Sequence, residues 1–224
     1  MKKYAIIVAG GKGVRMGNTI PKQFLLLAGK PILMHTINAF YNTSKDIDLI
    51  VVLPKNEIKL WNSFIQQYSF KIVHKVIEGG KTRFHSVQNG LNHVAKDSLV
   101  AIHDGVRPLV SKKVINHSYE EAIVHGNAIT SVQLKESIRL VDSASNKTVD
   151  RTNYRLIQTP QTFKSDEIIE AFNNAQISNF TDDASVLEDN GKAIHLIDGE
   201  YHNIKITTPE DLVFAESYIN KLRQ

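Results

Sequence analysis

Residues 4–17 read Y-A-I-I-V-A-G-G-K-G-V-R-M-G, a short apolar run that leads directly into a glycine-rich loop. The apolar residues 4–8 predict a buried β-strand. Glycines in the loop allow the backbone to turn sharply and to direct its N–H groups at phosphate oxygens. Arg15 and Lys22 would add positive charge beside it. The order of strand, glycine loop and cations indicates an α/β fold with a phosphate site, although a tight turn without a ligand would use the same glycines.

The first two-thirds of the chain alternate short β-branched runs with longer amphipathic stretches. This alternation is typical of a parallel sheet covered by helices on both faces. We predict strands at residues 4–8, 48–53, 71–77, 99–103 and 128–132, and helices at residues 31–41, 57–68, 82–94 and 111–125. The expected fold is therefore α/β, Rossmann-like and doubly wound, with a mostly parallel sheet.

The pattern changes after Lys135, where two β-rich runs, 137–141 and 147–149, flank a polar turn. They predict an antiparallel hairpin. Because an isolated two-stranded hairpin is marginally stable, we expect residues 136–153 to form a protruding arm that packs on a second subunit in a homodimer, with packing on its own subunit as the alternative. The chain then returns with a predicted strand at 154–158, helices at 165–175 and 182–190, strands near His195 and Ile204, and a last helix from Thr208. Residues 1–224 are expected to form one domain.

The composition restricts the kind of protein. The 224 residues contain 27 Lys+Arg, 23 Asp+Glu and no cysteine, and the basic residues are scattered along the chain. This distribution argues against a nucleic-acid partner, and no apolar run approaches the ~18 residues of a membrane span. The apolar run near the N-terminus is too short for a signal peptide, so a cytoplasmic location is expected. Without cysteine, thiolate chemistry and disulfides are excluded.

Two well-known phosphate loops do not fit the glycine-rich segments. The dinucleotide fingerprint G-x-G-x-x-G fails in the first loop, because Met16 stands where the third glycine is needed. Residues 79–82, G-G-K-T, resemble the end of a P-loop, but Lys75 stands at the position of its leading glycine. The first loop must therefore be judged together with other parts of the chain.

A second candidate segment, residues 101–108, reads A-I-H-D-G-V-R-P at the end of a predicted central strand. Open α/β sheets bind ligands at that edge. Asp104 is a suitable ligand for Mg²⁺ or another divalent cation, and Arg107 can bind a phosphate. An ion pair that braces the turn is the alternative for these two residues. His103 is interpreted as a packed strand end rather than as a catalyst.

Further motifs follow in a defined order. They are P-K-Q at 21–23, G-G-x-x-R-x-x-S at 79–86, V-D-R at 149–151, T-P-Q at 159–161, T-D-D-A-S at 181–185 and N-I-K-I-T at 203–207. Together with the first loop and H-D-x-x-R-P, this series resembles the methylerythritol phosphate cytidylyltransferases of non-mevalonate isoprenoid synthesis. The resemblance extends over nearly the whole chain and implies a fold of the nucleotide-diphospho-sugar transferase type.

The resemblance also implies roles for individual residues. Arg15, Lys22 and Lys205 would be catalytic and would contact the phosphates of CTP. The residues implied to bind CTP are Ala9, Gly10, Gly11, Gly13, Gly80, Ser86, which would lie near cytosine, and Asp104, which would also serve the metal. Those implied to bind the acceptor are Arg107, Ser137, Arg151, which would reach it from the other subunit, Thr159 and Thr181.

The expected reaction needs no protein nucleophile. A phosphomonoester has a second pKa of about 6, so the acceptor phosphate is mostly dianionic at neutral pH and can attack the α-phosphorus of CTP itself. Two departures from the common motifs are Ser137 in place of threonine and Gly10-Gly11 in place of Ala-Gly. Because ribitol phosphate cytidylyltransferases share the double glycine, ribitol 5-phosphate is an alternative acceptor. A non-catalytic nucleotide-binding module is the alternative of another class.

Overall fold

The computed structural model describes residues 1–10 and 20–222. Its strands are β1 (Lys2–Val8), β2 (Leu26–Leu27), β3 (Lys30–Pro31), β4 (Ile47–Leu53), β5 (Lys75–Glu78), β6 (Ser98–Asp104), β7 (Asn127–Gln133), β8 (Ile138–Val141), β9 (Asn146–Val149), β10 (Arg155–Lys164) and β11 (Leu196–Asp198). Its helices are α1 (Ile32–Thr43), α2 (Lys55–Gln67), α3 (Arg83–Leu91), α4 (Lys112–His125), α5 (Ser165–Asn174), α6 (Asp183–Asp189) and α7 (Pro209–Leu222).

The main sheet has seven strands in the order β11-β7-β10-β6-β1-β4-β5. Neighbours pair in parallel, except that β10 is antiparallel to both β6 and β7. The prediction of a mostly parallel α/β sheet is therefore confirmed. None of the described helices is both long enough and apolar enough to cross a lipid bilayer.

Strand β1 shows why helices cover both faces of the sheet. Its side chains alternate between faces, so that Ala5 and Ile7 belong to one buried cluster while Ile6 and Val8 belong to the other. The first cluster includes buried residues of α1, α2 and α4, and the second includes those of α3, α5 and α6. A continuous apolar strand is thus buried on both faces, as the doubly wound prediction requires.

Several predicted boundaries were wrong. Strand β5 begins at Lys75 rather than at residue 71, and β10 continues to Lys164, six residues beyond the predicted end at Gln158. The segment around Ile204 is not a strand, because it makes an isolated backbone hydrogen bond, Ile206 N–H to Val106 O at 2.9 Å, in place of a ladder. The short β2–β3 pair was not predicted.

The predicted hairpin is present as a separate two-stranded sheet. Strands β8 and β9 pair antiparallel from Ile138 opposite Val149 to Val141 opposite Asn146. Leu140 and Val141 are 55% and 69% exposed, so much of their apolar surface is uncovered in a single chain.

Candidate active site

Several of the predicted site residues lie where parallel strands end. Ala9 and Gly10 follow β1, Gly80 follows β5 and Asp104 is the last residue of β6. Because β10 runs in the opposite direction, the first half of that strand reaches the same edge. Its Thr159 hydroxyl accepts a hydrogen bond from the backbone N–H of Asp104 at 3.0 Å.

A short turn positions Lys22 at this edge. Pro21 precedes a 3-10 turn, Lys22–Phe24, in which the side chains of Gln23 and Phe24 are buried. The Gln23 amide donates to the carbonyl of Ala9 at 2.9 Å, and the Phe24 ring stacks on Trp61 at 6.1 Å between centroids. With its neighbours anchored in this way, Lys22 borders a cavity that is also lined by Asp104 and Lys205.

Asp104 is the electrostatic centre of the site. Its carboxylate oxygens lie 3.0 Å from Lys205 Nζ, 3.2 Å from Arg107 Nε and 3.7 Å from Arg83 Nε. Burial alone would raise the pKa of Asp104, but the neighbouring cations more than offset burial and hold it well below its ordinary value. The carboxylate is therefore ionised at neutral pH and keeps positive side chains close together.

Lys205 is held by the chain on both sides of it. Asn203 is fully buried and donates to the carbonyl of Thr159 at 2.9 Å. Ile206 is also fully buried, and the following backbone N–H of Thr207 donates to Asp211 at 2.8 Å. Between these anchors, the Lys205 side chain remains 40% exposed and extends to Asp104.

Arg107 forms an ion pair with Asp104, which was the alternative to a phosphate-binding role for these residues. It bonds Asp104 and donates from Nη1 to the carbonyl of Asn203 at 2.8 Å. Arg107 nevertheless borders a cavity together with Thr159 and Thr181. A role in acceptor binding therefore remains a prediction for these three residues.

His103 is a packed strand end, as the sequence indicated. Its side chain is buried, with Nε2 at 3.0 Å from the carbonyl of Arg107 and Nδ1 at 3.0 Å from the hydroxyl of Thr159. Burial lowers the pKa of His103 to about 4, so the ring is neutral at pH 7. A neutral ring can donate from Nε2 and accept at Nδ1, which orients the Thr159 hydroxyl.

The turn after β5 needs glycine because of its close packing. A Cβ atom on Gly80 would lie 2.3 Å from the Cβ of His85, whereas one on Gly10 would have 3.8 Å to Pro54. Ser86 braces this turn, since its hydroxyl accepts from Gly80 N–H at 3.1 Å and donates to the carbonyl of Thr82 at 2.9 Å. A contact of Ser86 with cytosine remains a prediction.

Three neighbouring cavities meet at Arg83. One contains Gly80 and Ser86, the second Lys22 and Lys205, and the third Arg107, Thr159 and Thr181, and Arg83 borders all three. The sequence analysis assigned it no role, although it stands within the G-G-x-x-R-x-x-S motif. The sequence could not reveal its partner, Asp183, because the two residues are 100 positions apart in the chain.

The partner of Arg83 is Asp183, at the first position of α6. The guanidinium donates to both carboxylate oxygens, at 2.8 Å and 2.7 Å. The Asp183 side chain is only 1% exposed. This bidentate pair holds Arg83 at the junction of the three cavities and explains the second aspartate of the T-D-D-A-S motif.

Comparison with known proteins agrees with these features. A profile of the family described as "IspD: 2-C-methyl-D-erythritol 4-phosphate cytidylyltransferase" matches residues 4–221. The chain belongs to this family.

Similar members of the IspD family confirm the extent of the match. A protein from Azobacteroides pseudotrichonymphae named 2-C-methyl-D-erythritol 4-phosphate cytidylyltransferase is 52% identical, over 98% of this chain and 99% of the relative. The crystal structure of 4-diphosphocytidyl-2C-methyl-D-erythritol synthase from Anaerococcus prevotii has a TM-score of 0.81 and 28% identity, covering 97% of each chain. The crystal structure of 2-C-methyl-D-erythritol 4-phosphate cytidylyltransferase from Francisella tularensis has a TM-score of 0.78 and 33% identity, covering 99% of each chain.

Five residues implied by the IspD resemblance are not found among the described residues that line these cavities. Gly11, Gly13 and Arg15 lie outside the described residues. Ser137 and Arg151 are exposed on and beside the hairpin, and neither lines the three cavities in a single chain. Arg151 donates from Nη1 to the carbonyl of Lys135 at the base of the hairpin.

Asp104 is a suitable ligand for the divalent cation expected in an IspD site. Mg²⁺ is usually held by one or two carboxylates together with substrate phosphates, and Asp104 is an ionised carboxylate at the cavity that Lys22 and Lys205 share.

Proposed function

We propose that this protein transfers CMP from CTP to 2-C-methyl-D-erythritol 4-phosphate and releases pyrophosphate, a step of non-mevalonate isoprenoid precursor synthesis. The observation that carries the proposal is the convergence of Lys22, Lys205 and Arg83 around Asp104 in one cavity. Membership of the IspD family supports the nucleotide and the acceptor.

We infer that the three cavities divide the substrates between them. The cavity lined by Gly80 and Ser86 would take the nucleoside of CTP, and the central cavity would take its phosphates. The cavity lined by Arg107, Thr159 and Thr181 would take the acceptor. Arg83 would lie where the acceptor phosphate approaches the α-phosphorus, since it borders all three.

The chain's own contribution to the reaction is positioning and positive charge. With CTP and the acceptor bound side by side, an oxygen of the acceptor phosphate attacks the α-phosphorus of CTP in line. The bond from the α-phosphorus to the oxygen of the β-phosphate breaks, and pyrophosphate leaves with that electron pair. Negative charge grows on the oxygens around the α-phosphorus in the transition state. Lys22 and Lys205, held by their buried neighbours, can stabilise this charge with little reorganisation.

A divalent cation would be held by Asp104 and the substrate phosphates. When bound, it would neutralise part of the charge of the triphosphate and of the leaving pyrophosphate. Among the described residues, Asp104 supports this role because it is the carboxylate that the cations of the central cavity keep ionised.

The hairpin arm supports the proposal of a homodimer. Leu140 and Val141 on the arm, with Tyr154, Leu156 and Ile157 beside it, are all more than 40% exposed in the single chain. Exposed apolar side chains of this kind are suited to contact with a partner. We propose that residues 136–153 cross to a second subunit and bring Ser137 and Arg151 to its acceptor cavity. The cytoplasmic location stays a prediction.

The activity can be tested with purified full-length protein, CTP and Mg²⁺, by measuring pyrophosphate release with a panel of polyol phosphates. We expect turnover with 2-C-methyl-D-erythritol 4-phosphate to exceed turnover with ribitol 5-phosphate at equal concentrations. Faster turnover with ribitol 5-phosphate would assign the alternative acceptor. Nucleotide binding without pyrophosphate release for any acceptor would contradict an enzymatic role.

A further inference from the structure

A second cluster of potential metal ligands lies beside the amino end of β7, away from the candidate active site. It consists of Glu121 and His125 in the last turns of α4 and His195 just before β11. Through the sheet register, Leu196 lies beside Ile129, and Ile129 and Ile102 both lie opposite Gln161. His195 is therefore about three residues, or roughly 10 Å, from Asp104 along the strand direction, and three strands, or roughly 14 Å, away across the sheet. The cluster is therefore separate from the site that would bind CTP.

The ligand atoms of this cluster converge. His195 Nε2 lies 3.1 Å and His125 Nε2 lies 3.4 Å from the same oxygen of Glu121. One ligand atom from each residue lies within 4.8 Å of the other two. In a tetrahedral zinc site with bonds of about 2.0–2.1 Å, ligand atoms are roughly 3.3 Å apart, so the two distances from Glu121 to the histidines are close to those around a bound ion.

The backbone holds the cluster in place. Glu121 and His125 are four residues apart and therefore lie on one face of α4. His195 is fixed by its backbone, since its N–H donates to the Asn127 side chain at 2.8 Å and its carbonyl accepts from Ile129 N–H at 2.8 Å. Its ring stacks on that of His125, with 3.7 Å between centroids. The two rings need only tilt apart for their lone pairs to converge, and the 42% exposed His125 is free to do so.

We propose that Glu121, His125 and His195 form a binding site for a transition-metal cation of the Zn²⁺ class, with water at the fourth position. Two imidazoles and one carboxylate suit Zn²⁺, whereas Mg²⁺ prefers oxygen ligands and does not compete well for such a site. The ion would connect the C-terminal end of α4 to the start of β11 and would stabilise the folded chain.

The proposal is tested by titrating the full-length protein with Zn²⁺ in excess Mg²⁺, using isothermal titration calorimetry. We expect one Zn²⁺ per chain and a rise in Tm when it binds. His195→Ala and Glu121→Gln should each weaken binding by at least about 10-fold, since even the loss of an outer partner of a metal ligand costs that much. Co²⁺ should give the absorption bands of a tetrahedral site in the wild type and lose them in both variants.

The matched control is His93→Ala, which removes an exposed histidine that contacts Lys75 Nζ elsewhere on the surface. This variant should bind Zn²⁺ as the wild type does. His117 is unsuitable as a control, because its Nδ1 lies 3.9 Å from Glu121 Oε1. The proposal is overturned if the wild type does not bind Zn²⁺ or if His195→Ala binds it as tightly as His93→Ala. Circular dichroism without metal verifies that each variant is folded.

Discussion

At the scale of single residues, the candidate active site depends on charges that the fold holds in place. Lys205 contacts Asp104, and the residues on both sides of it are anchored in the core. His103 precedes Asp104 in β6 and orients Thr159 through its neutral ring. These residues allow two predictions, one for catalysis and one for stability.

Replacing Lys205 by alanine should leave the fold intact and lower the turnover number by about 10²–10³-fold, because one donor to the transition state is lost. Lys192→Ala is a suitable control, since Lys192 is similarly exposed, at 45%, and pairs with Glu167 instead. Steady-state pyrophosphate release measures both variants. A Lys205→Ala enzyme with more than a tenth of the wild-type rate would show that this cation is not catalytic.

His103 should make the folded state less stable in mild acid. Its pKa is lowered by burial from 6.5 to about 4, so below pH 6.5 the unfolded chain takes up a proton that the folded chain does not. The contribution of the neutral His103 ring to the free energy of unfolding is fully present above pH 6.5 and is lost progressively as the pH falls to about 4. In urea unfolding between these values, His103→Gln should lose stability less steeply than the wild type, by up to about 1.4 kcal/mol per pH unit. Parallel slopes in the two proteins would contradict this role.

At the scale of secondary-structure elements, the Arg83–Asp183 pair connects α3 to α6 beside the candidate active site. Both helices also contribute side chains to one buried apolar cluster, and the ion pair adds a polar connection between them at the cavity junction. Because Asp183 is almost fully buried, it depends on Arg83 for its charge to be compensated.

Arg83→Met should therefore destabilise the folded state by about 3 kcal/mol, the lower end of the cost of breaking a buried ion pair. The lower end is expected because the Arg83 side chain is 28% exposed. Adding Asp183→Leu should recover part of this loss. The control Lys2→Met removes a pair with Asp48 whose side chains are more than half exposed, and should cost much less, because solvent screens this pair. Urea denaturation at pH 7 compares the variants, and equal losses for Arg83→Met and Lys2→Met would refute the structural role.

At the scale of the whole molecule, the proposed dimer makes a prediction about mixed subunits. Arg151→Ala and Lys205→Ala should each be nearly inactive alone. If Arg151 acts in the partner's acceptor cavity, a dimer with one chain of each kind contains one complete site, because the two defects fall in the other site. Refolding the two variants together should then restore part of the pyrophosphate release. Activity that stays at the level of the separate variants would mean that Arg151 acts in its own chain or not at all.

Sequence by itself determined the fold class and the family. Alternation of apolar runs is a local property, and it identified β1, β4, β6 and β7 as buried parallel strands. The ordered motifs indicated the family because they combine many weak local signals. The edge of the sheet expected to bind ligands followed from the same pattern, since parallel strands end on one side.

Tertiary structure alone decided which distant residues meet. Strand β10 enters antiparallel between β6 and β7, which brings Thr159 to Asp104 across 55 positions of sequence. Arg83 meets Asp183, and Glu121 meets His195, over still longer separations. Periodicity reports only on neighbours along one helix or strand, whereas these contacts depend on how the elements pack against each other, and that packing is a property of the whole chain.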